Sequence, residues 1–156
     1  MTLRLWTATC FLFSALTASA SITESDEGCL YTPAELEAAL GMKVQKGKGT
    51  VMKWSGGKST TCMYSAGMHG ILLSIETLNT PGGFGGSNDF AGGKEAIPGD
   101  PDKAFWQVNQ GDLTDVALTY VRGNSRTQIR VSGVNQKDKA AVQAMRAKVL
   151  KLRRVP

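Results

Sequence analysis

The sequence predicts an α+β domain: a mainly antiparallel sheet of five to six strands, with a short N-terminal helix and a C-terminal amphipathic helix packed on one face. Three observations predict this class. Residues 32–41 carry the start and stop signals of a helix, several segments between residues 50 and 132 alternate apolar and polar side chains, and residues 136–152 place apolar side chains at helical spacing.

The first helix is marked by its end signals. Thr32 is suited to the N-cap, Pro33 to the first helical position and Glu35 to the third, where its side chain completes a capping box. Gly41 follows as the stop signal. The last helix is expected over Gln136–Leu152, with Asn135 as its cap. Its apolar stripe consists of Val142, Met145, Val149 and Leu152.

Six segments have strand character, and the last two form a hairpin through Arg122–Arg126. In that hairpin Ile129 and Val131 are expected to face the core, opposite alternate residues of the preceding strand. Val121 and Thr119 are expected to face outward. The six segments are Thr50–Trp54, Thr60–Ser65, Ile71–Leu78, Lys103–Val108, Leu113–Val121 and Thr127–Ser132.

Length and composition limit the class of protein. The chain has 156 residues, of which 42% are hydrophobic and 20% are charged. This is ordinary globular composition and excludes a disordered or collagen-like chain. No apolar run reaches the roughly 18 residues that a membrane-spanning helix needs. We therefore expect one domain and no membrane span.

Residues 1–20 have the pattern of a secretory signal peptide. Arg4 precedes an uncharged stretch from Leu5 to Thr17, and Ala18-Ser19-Ala20 provides the small residues that signal peptidase recognises. A buried core helix is the alternative interpretation. We expect cleavage after Ala20, leaving 21–156 as the α+β domain, with a periplasmic or secreted location.

Two cysteines remain after cleavage, because Cys10 leaves with the signal peptide. Cys29 and Cys62 would lie in an oxidising compartment, where a disulfide bond between them is expected. Closing a loop of this length removes roughly 3–4 kcal/mol of denatured-chain entropy. Catalytic thiol pairs more often have the close spacing C-x-x-C, which these two cysteines lack.

The segment 79–101 is rich in glycine and proline and is expected to be a long loop. Phe84 and Phe90 are its large apolar residues, and they could either pin the loop to the domain or contact a partner. Three arginines of the last hairpin are further candidates for partner contact: Arg122, Arg126 and Arg130.

The sequence contains no recognisable catalytic, cofactor-binding or metal-binding constellation. His69 is the sole histidine and has no acid or nucleophile placed beside it by spacing. The Asp100/Asp102 pair lacks the ligand spacing of a calcium loop, and turn formation explains it better. Gly57-Lys58-Ser59 resembles the end of a phosphate-binding loop, but Met52 stands where that motif needs its first glycine.

The net charge of +5 and an isoelectric point near 9.2 favour anionic partners. Nucleic-acid recognition would need basic and aromatic residues interleaved on one platform, and the hairpin arginines alone do not supply one. Acidic proteins and anionic surface polymers therefore remain as classes of partner.

The segments Cys29–Leu36, Leu40-Gly41 and Cys62-Met63-Tyr64 resemble small bacterial exported proteins and lipoproteins of domain-of-unknown-function families. Residues 97–106, the hairpin and the last helix are similar to the same group. The resemblance implies a bacterial envelope location, a Cys29–Cys62 disulfide and no established catalytic residues. The chain departs from the lipoprotein members because it lacks an acylation cysteine.

These observations together predict an exported, non-enzymatic binding or interaction module of the bacterial envelope. An inhibitor or immunity-type protein falls within this class, with another envelope or secreted protein as partner. One alternative is an envelope hydrolase that uses His69. Another is an electrostatic binder of anionic cell-surface polymers. The sequence does not indicate the oligomeric state.

Overall fold

A computed structural model describes residues 21–80, 82–84, 93–108 and 115–156. The predicted signal peptide and Phe90 lie outside the described residues. Within these ranges the chain forms one antiparallel sheet in the spatial order β1-β2-β3-β4-β8-β7-β6-β5. The strands are β1 (Ser21–Glu24), β2 (Lys48–Trp54), β3 (Gly57–Ala66), β4 (His69–Leu78), β5 (Gly93–Ala96), β6 (Phe105–Val108), β7 (Val116–Arg122) and β8 (Ser125–Val131). The helices are α1 (Pro33–Leu40) and α2 (Lys139–Val149).

The described residues form eight strands, so the prediction of five to six was wrong in its count. The two additional strands, β1 and β5, lie at opposite edges of the sheet. All four residues of β5 are exposed, and the strand falls inside the segment predicted as a loop. An exposed edge strand has no buried face, so its sequence shows no apolar alternation. Its conformation comes from pairing with β6.

The core lies between the helices and one face of the sheet, which we call the covered face. One row across this face consists of Cys62, Leu73, Ile129, Leu118 and Trp106, each at most 5% exposed. Leu36 and Leu40 of α1 and Met145 and Val149 of α2 complete the same cluster. Burial of this apolar surface is the main force that holds the helices on the sheet.

Both helices form with their predicted apolar faces. The capping box of α1 is confirmed: the Glu35 amide donates to Thr32 Oγ1 at 3.2 Å, and the Thr32 amide donates to Glu35 Oε2 at 2.7 Å. The prediction of Asn135 as the cap of α2 was wrong. Asp138 is the N-cap, and its Oδ1 accepts from the Ala141 amide at 3.0 Å. None of the helices among the described residues is long and apolar enough to cross a membrane.

The predicted disulfide bond between Cys29 and Cys62 is present. It joins the chain just before α1 to the buried centre of β3. Two glycines, Gly47 and Gly49, run past it so closely that a Cβ at either position would overlap neighbouring atoms. The bond therefore needs glycine beside it as well as two cysteines.

The C-terminal residues 153–156 lie as a strap against the domain. The Tyr31 hydroxyl donates to the Arg153 carbonyl at 2.7 Å. The Tyr120 hydroxyl donates to the Val155 carbonyl at 3.0 Å and accepts from the Val155 amide at 2.9 Å. Val155 is fully buried. Two buried tyrosines thus fix the strap beside the end of β7.

Candidate functional site

The structure brings two of the predicted contact residues together and separates two others. The guanidinium carbon of Arg126 lies 5.0 Å from the centre of the Phe84 ring, so the loop residue stacks on β8. Arg130 lies four residues after Arg126, on the same face of β8. Arg122 lies on the covered side, because it follows Leu118 and Tyr120 at alternate positions of β7.

Phe84 and the end of the β7–β8 hairpin enclose a cleft of about 480 Å³, which we call the hairpin cleft. This volume falls in the range of roughly 300–1,000 Å³ that is usual for binding sites. Most of its large lining residues are apolar or aromatic, as such sites require. The cleft is lined by Gly82, Phe84, Asp102, Lys103, Phe105, Tyr120, Val121 and Gly123.

Local sequence builds each wall of the cleft. Gly123 has φ 59° at the first central position of a two-residue hairpin turn, a conformation that glycine adopts without strain. The Asn124 side chain donates to the Leu78 carbonyl at 2.6 Å and so ties this turn to the end of β4. On the opposite wall the Asp100 side chain accepts from the amides of Asp102 and Ala104. Asp100 therefore forms the turn that was predicted for the Asp100/Asp102 pair, whereas the Asp102 carboxylate pairs with Arg122.

A cluster of four charged residues supports the cleft from the side of the C-terminal strap. Arg122 Nε donates to Asp102 Oδ1 at 2.8 Å, and this bond raises the pKa of Arg122 above its ordinary value. Arg154 donates to Asp100 Oδ2 at 2.5 Å. Its guanidinium carbon also lies 4.6 Å from the centre of the Tyr120 ring. The cluster is neutral overall, because two arginines face two aspartates.

Tyr120 stands between this charged cluster and the cleft. Burial raises the pKa of its hydroxyl, so the group stays protonated and donates to the strap. The sequence indicated Tyr120 only as a core residue. Its ring in fact contacts the core, the strap and the cleft together, and alternation along a strand cannot reveal that triple contact.

The open face of the sheet carries a separate polar network around Arg130. Arg130 donates to Asp115 Oδ2 at 3.3 Å, and Gln128 Nε2 donates to Gln107 Oε1 at 3.0 Å. Thr119 faces outward from the core as expected, and it is fully buried beside these side chains. The long Gln128 side chain on the neighbouring strand covers the short Thr119 side chain, which explains why Thr119 is buried on the open face. The Arg130 side chain is therefore engaged in contacts within the fold.

His69 serves as a structural tie. Its Nδ1 lies 2.9 Å from the Ser132 carbonyl oxygen and so joins the start of β4 to the residue after β8. The Ser132 hydroxyl is engaged with both backbone groups of Gly70. Among the described residues no group of three or more histidine, cysteine or acidic side chains could hold a metal ion.

A larger depression, of about 600 Å³, lies between the chain after β1 and the start of β2. Its lining includes Asp26 and Lys46, which form an ion pair at 3.1 Å, and has no aromatic or aliphatic side chain. The rings of Phe84, Phe105 and Tyr120 that line the hairpin cleft have no counterpart in this depression. The hairpin cleft is therefore the better candidate site.

Comparison of the chain with protein-family models, with curated proteins and with solved structures finds no match in any of the three.

Proposed function

We propose that the protein is a non-enzymatic binding module of the bacterial envelope, which recognises another exported protein through the hairpin cleft and the Phe84–Arg126 pair beside it. The observation that carries this proposal is the preformed aromatic cleft. Aromatic residues and arginine are enriched where proteins contact one another. The disulfide bond between Cys29 and Cys62 fits an extracytoplasmic location.

The chemistry of the described residues supports binding better than turnover. A hydrolase that used His69 would need a nucleophile or an acid beside the ring. The ring contacts the Ser132 backbone carbonyl, and the Ser132 hydroxyl already bonds to Gly70. Around the cleft, Asp100 and Asp102 are held by arginines rather than directed at one reacting atom.

The proposal is tested by affinity capture with the full chain, expressed for export and purified with its disulfide intact. Envelope and culture-fluid extracts are passed over the immobilised protein and washed at low and at high salt. We expect a stoichiometric protein that survives the high-salt wash. Recovery of anionic polymer alone, lost as salt rises, would support the electrostatic alternative.

A second arm tests the hydrolase alternative. The wild type and the His69→Ala variant are compared against envelope substrates at equal folded concentration. We expect no turnover from either protein. Turnover by the wild type that disappears in the variant, with the fold retained, would contradict the assignment as a binding module.

A further inference from the structure

Three exposed apolar side chains of the open face lie on the three strands at one edge of the sheet. Met63 follows the buried Cys62 in β3, so it points to the open face, where it is 62% exposed. The strand register places Met52 and Ile22 on the same face, directly opposite each other, and they are 38% and 72% exposed. We call Ile22, Met52 and Met63 the β1–β3 patch. A group of exposed apolar side chains on one face is typical of a surface that contacts another protein.

The charged side chains on the other half of the open face already have partners within the chain. Arg126 of β8 pairs with Glu76 of β4, and Arg130 pairs with Asp115. These pairs neutralise one another, and they lie over β4, β8 and the start of β7. The β1–β3 patch is therefore the part of the open face that is best suited to a further contact.

Two side chains of opposite charge border the β1–β3 patch. Glu24 lies two residues after Ile22 on the same face of β1, and Lys48 lies directly opposite Met63 in the β2–β3 pair. Both are exposed, and both line the depression of about 600 Å³ beside β1. Neither makes an ion pair with any residue in the described part of the chain. The patch therefore presents one accessible carboxylate and one accessible ammonium group.

This arrangement is complementary to itself under a two-fold rotation. In a symmetric dimer, a contact from residue i to residue j of the other copy is always matched by the contact from j to i. A two-fold axis that passes between Glu24 and Lys48 thus forms two ion pairs between the copies. Ile22 lies on the Glu24 side of the patch. Met63 lies on the Lys48 side, so the same rotation packs it against Ile22 of the other copy.

We propose that the β1–β3 patch is the interface of a symmetric dimer, in which Glu24 of each copy pairs with Lys48 of the other. A second copy is favoured over an unrelated protein because the patch carries both members of the ion pair and apolar side chains on both sides of the axis. The hairpin cleft lies at the turn between β7 and β8, and β4 separates these strands from the patch. The dimer and the proposed recognition site therefore use different surfaces.

The test measures the dimer dissociation constant of the full exported protein by analytical ultracentrifugation over a range of concentrations. We expect the wild type to dimerise reversibly. Glu24→Lys and Lys48→Glu each place like charges opposite one another at two points of the dimer. Each variant alone should therefore raise the dissociation constant at least about tenfold, because like charges that meet across an interface oppose association.

An equimolar mixture of the two charge variants is the decisive arm. One variant carries two positive side chains at the patch and the other carries two negative ones, so a mixed dimer contains two ion pairs. We expect the mixture to regain the wild-type affinity. A wild type that stays monomeric at every concentration, or a mixture that associates no better than its separate components, would overturn the proposal.

The apolar contacts are tested with Met63→Thr, which keeps a residue suited to a strand but removes most of the apolar side chain. We expect about a tenfold weaker dimer. Met68→Thr changes a side chain that is 95% exposed in the turn before β4, and this matched control should dimerise like the wild type. The melting temperature of each variant, taken where single copies predominate, checks that the fold is retained. Equal dissociation constants for Met63→Thr and the wild type would refute the proposed interface.

The same proteins distinguish a second copy from a different occupant of the patch. If the wild type is monomeric and Met63→Thr no longer retains a protein captured from envelope extracts, the patch binds that protein and the assignment to a second copy is wrong. If the charge variants behave as expected and capture recovers no partner, the dimer is supported and only the proposed function fails.

Discussion

The Glu35 side chain links the start of α1 to the C-terminal strap. It accepts from the Thr32 amide and from Arg153 Nε, at 2.7 Å in both cases. The backbone bond from Thr32, followed by the bond from Arg153, lowers the pKa of Glu35 to about 2. A lowered folded-state pKa means that ionised Glu35 stabilises the fold above its unfolded value of 4.5, and that this contribution is lost as the pH falls towards 2.

We therefore expect Glu35→Gln to lower the stability at pH 7 and to have a much smaller effect at pH 2, where the wild-type carboxyl is about half protonated and most of its contribution is lost. Urea denaturation of both proteins at the two pH values measures the difference. The pair is partly exposed, so the effect should be small. A difference that is equal at both pH values would show that the carboxylate charge is not its origin.

The Tyr120 hydroxyl makes two hydrogen bonds to Val155 in the interior. Tyr120→Phe removes both and leaves the amide and carbonyl of Val155 buried without that partner. We expect a loss of about 1–3 kcal/mol in the free energy of unfolding, which is the usual cost of orphaned buried groups. Chemical denaturation measures it. An unchanged stability would mean that the strap detaches without cost.

At the scale of single elements, the disulfide bond is the strongest local constraint. The double variant Cys29→Ser/Cys62→Ser should lose roughly 3–4 kcal/mol, because the chain between the two positions regains its freedom in the unfolded state. Guanidinium denaturation of the variant, beside wild type with its disulfide intact, gives the value. A loss below about 1 kcal/mol would contradict this account.

Substitutions at the predicted and the observed N-cap of α2, Asn135 and Asp138, can be compared directly. Asp138→Ala should cost about 1 kcal/mol, since it removes the side chain that accepts from the Ala141 amide. Asn135→Ala is the matched control and should cost less, because its side chain closes a turn onto the Lys137 amide ahead of the helix. Thermal unfolding of the two variants gives the order, and the reverse order would restore Asn135 as the cap.

Elements with local signals could be predicted from the sequence, and elements defined by their neighbours could not. The capping box of α1 and the alternation of apolar and polar residues in β4 and β8 depend only on residues that are close together in the sequence. In contrast, β1 and β5 are strands because β2 and β6 pair with them.

The length of the turn between β7 and β8 was also not predictable from local sequence. A five-residue connection was predicted, whereas a two-residue turn pairs Arg122 with Ser125 and places Arg122 and Arg126 on opposite faces.

The candidate site was only partly predictable for a related reason. Phe84 and Arg126 were each candidates for partner contact, but they lie far apart in the sequence and their stacking depends on how the loop returns to the sheet. Lys103 was assigned to a strand, and its left-handed backbone follows from hydrogen bonds to Asp100. Such contacts between distant segments carry no local pattern.

At the scale of the whole molecule, the parts of the fold that stabilise it are separate from the cleft that we propose as the binding site. The covered face and its helices supply the stability, and the disulfide and the strap hold the chain segments that precede α1 and follow α2. The hairpin cleft lies at the turn that joins the end of β7 to the start of β8, beside arginine–aspartate pairs whose charges balance. A rigid scaffold that supports an exposed aromatic cleft is the arrangement expected of a binding module.

The most direct test of this account is the affinity of the captured partner for three proteins: wild type, Phe84→Ala and the control Met68→Ala, which truncates a side chain that is 95% exposed and outside the cleft. We predict that Phe84→Ala weakens binding about thirtyfold, as for a central interface residue, while its melting temperature changes little. Met68→Ala should match the wild type. Equal affinities of wild type and Phe84→Ala would contradict the assignment of the hairpin cleft as the recognition surface.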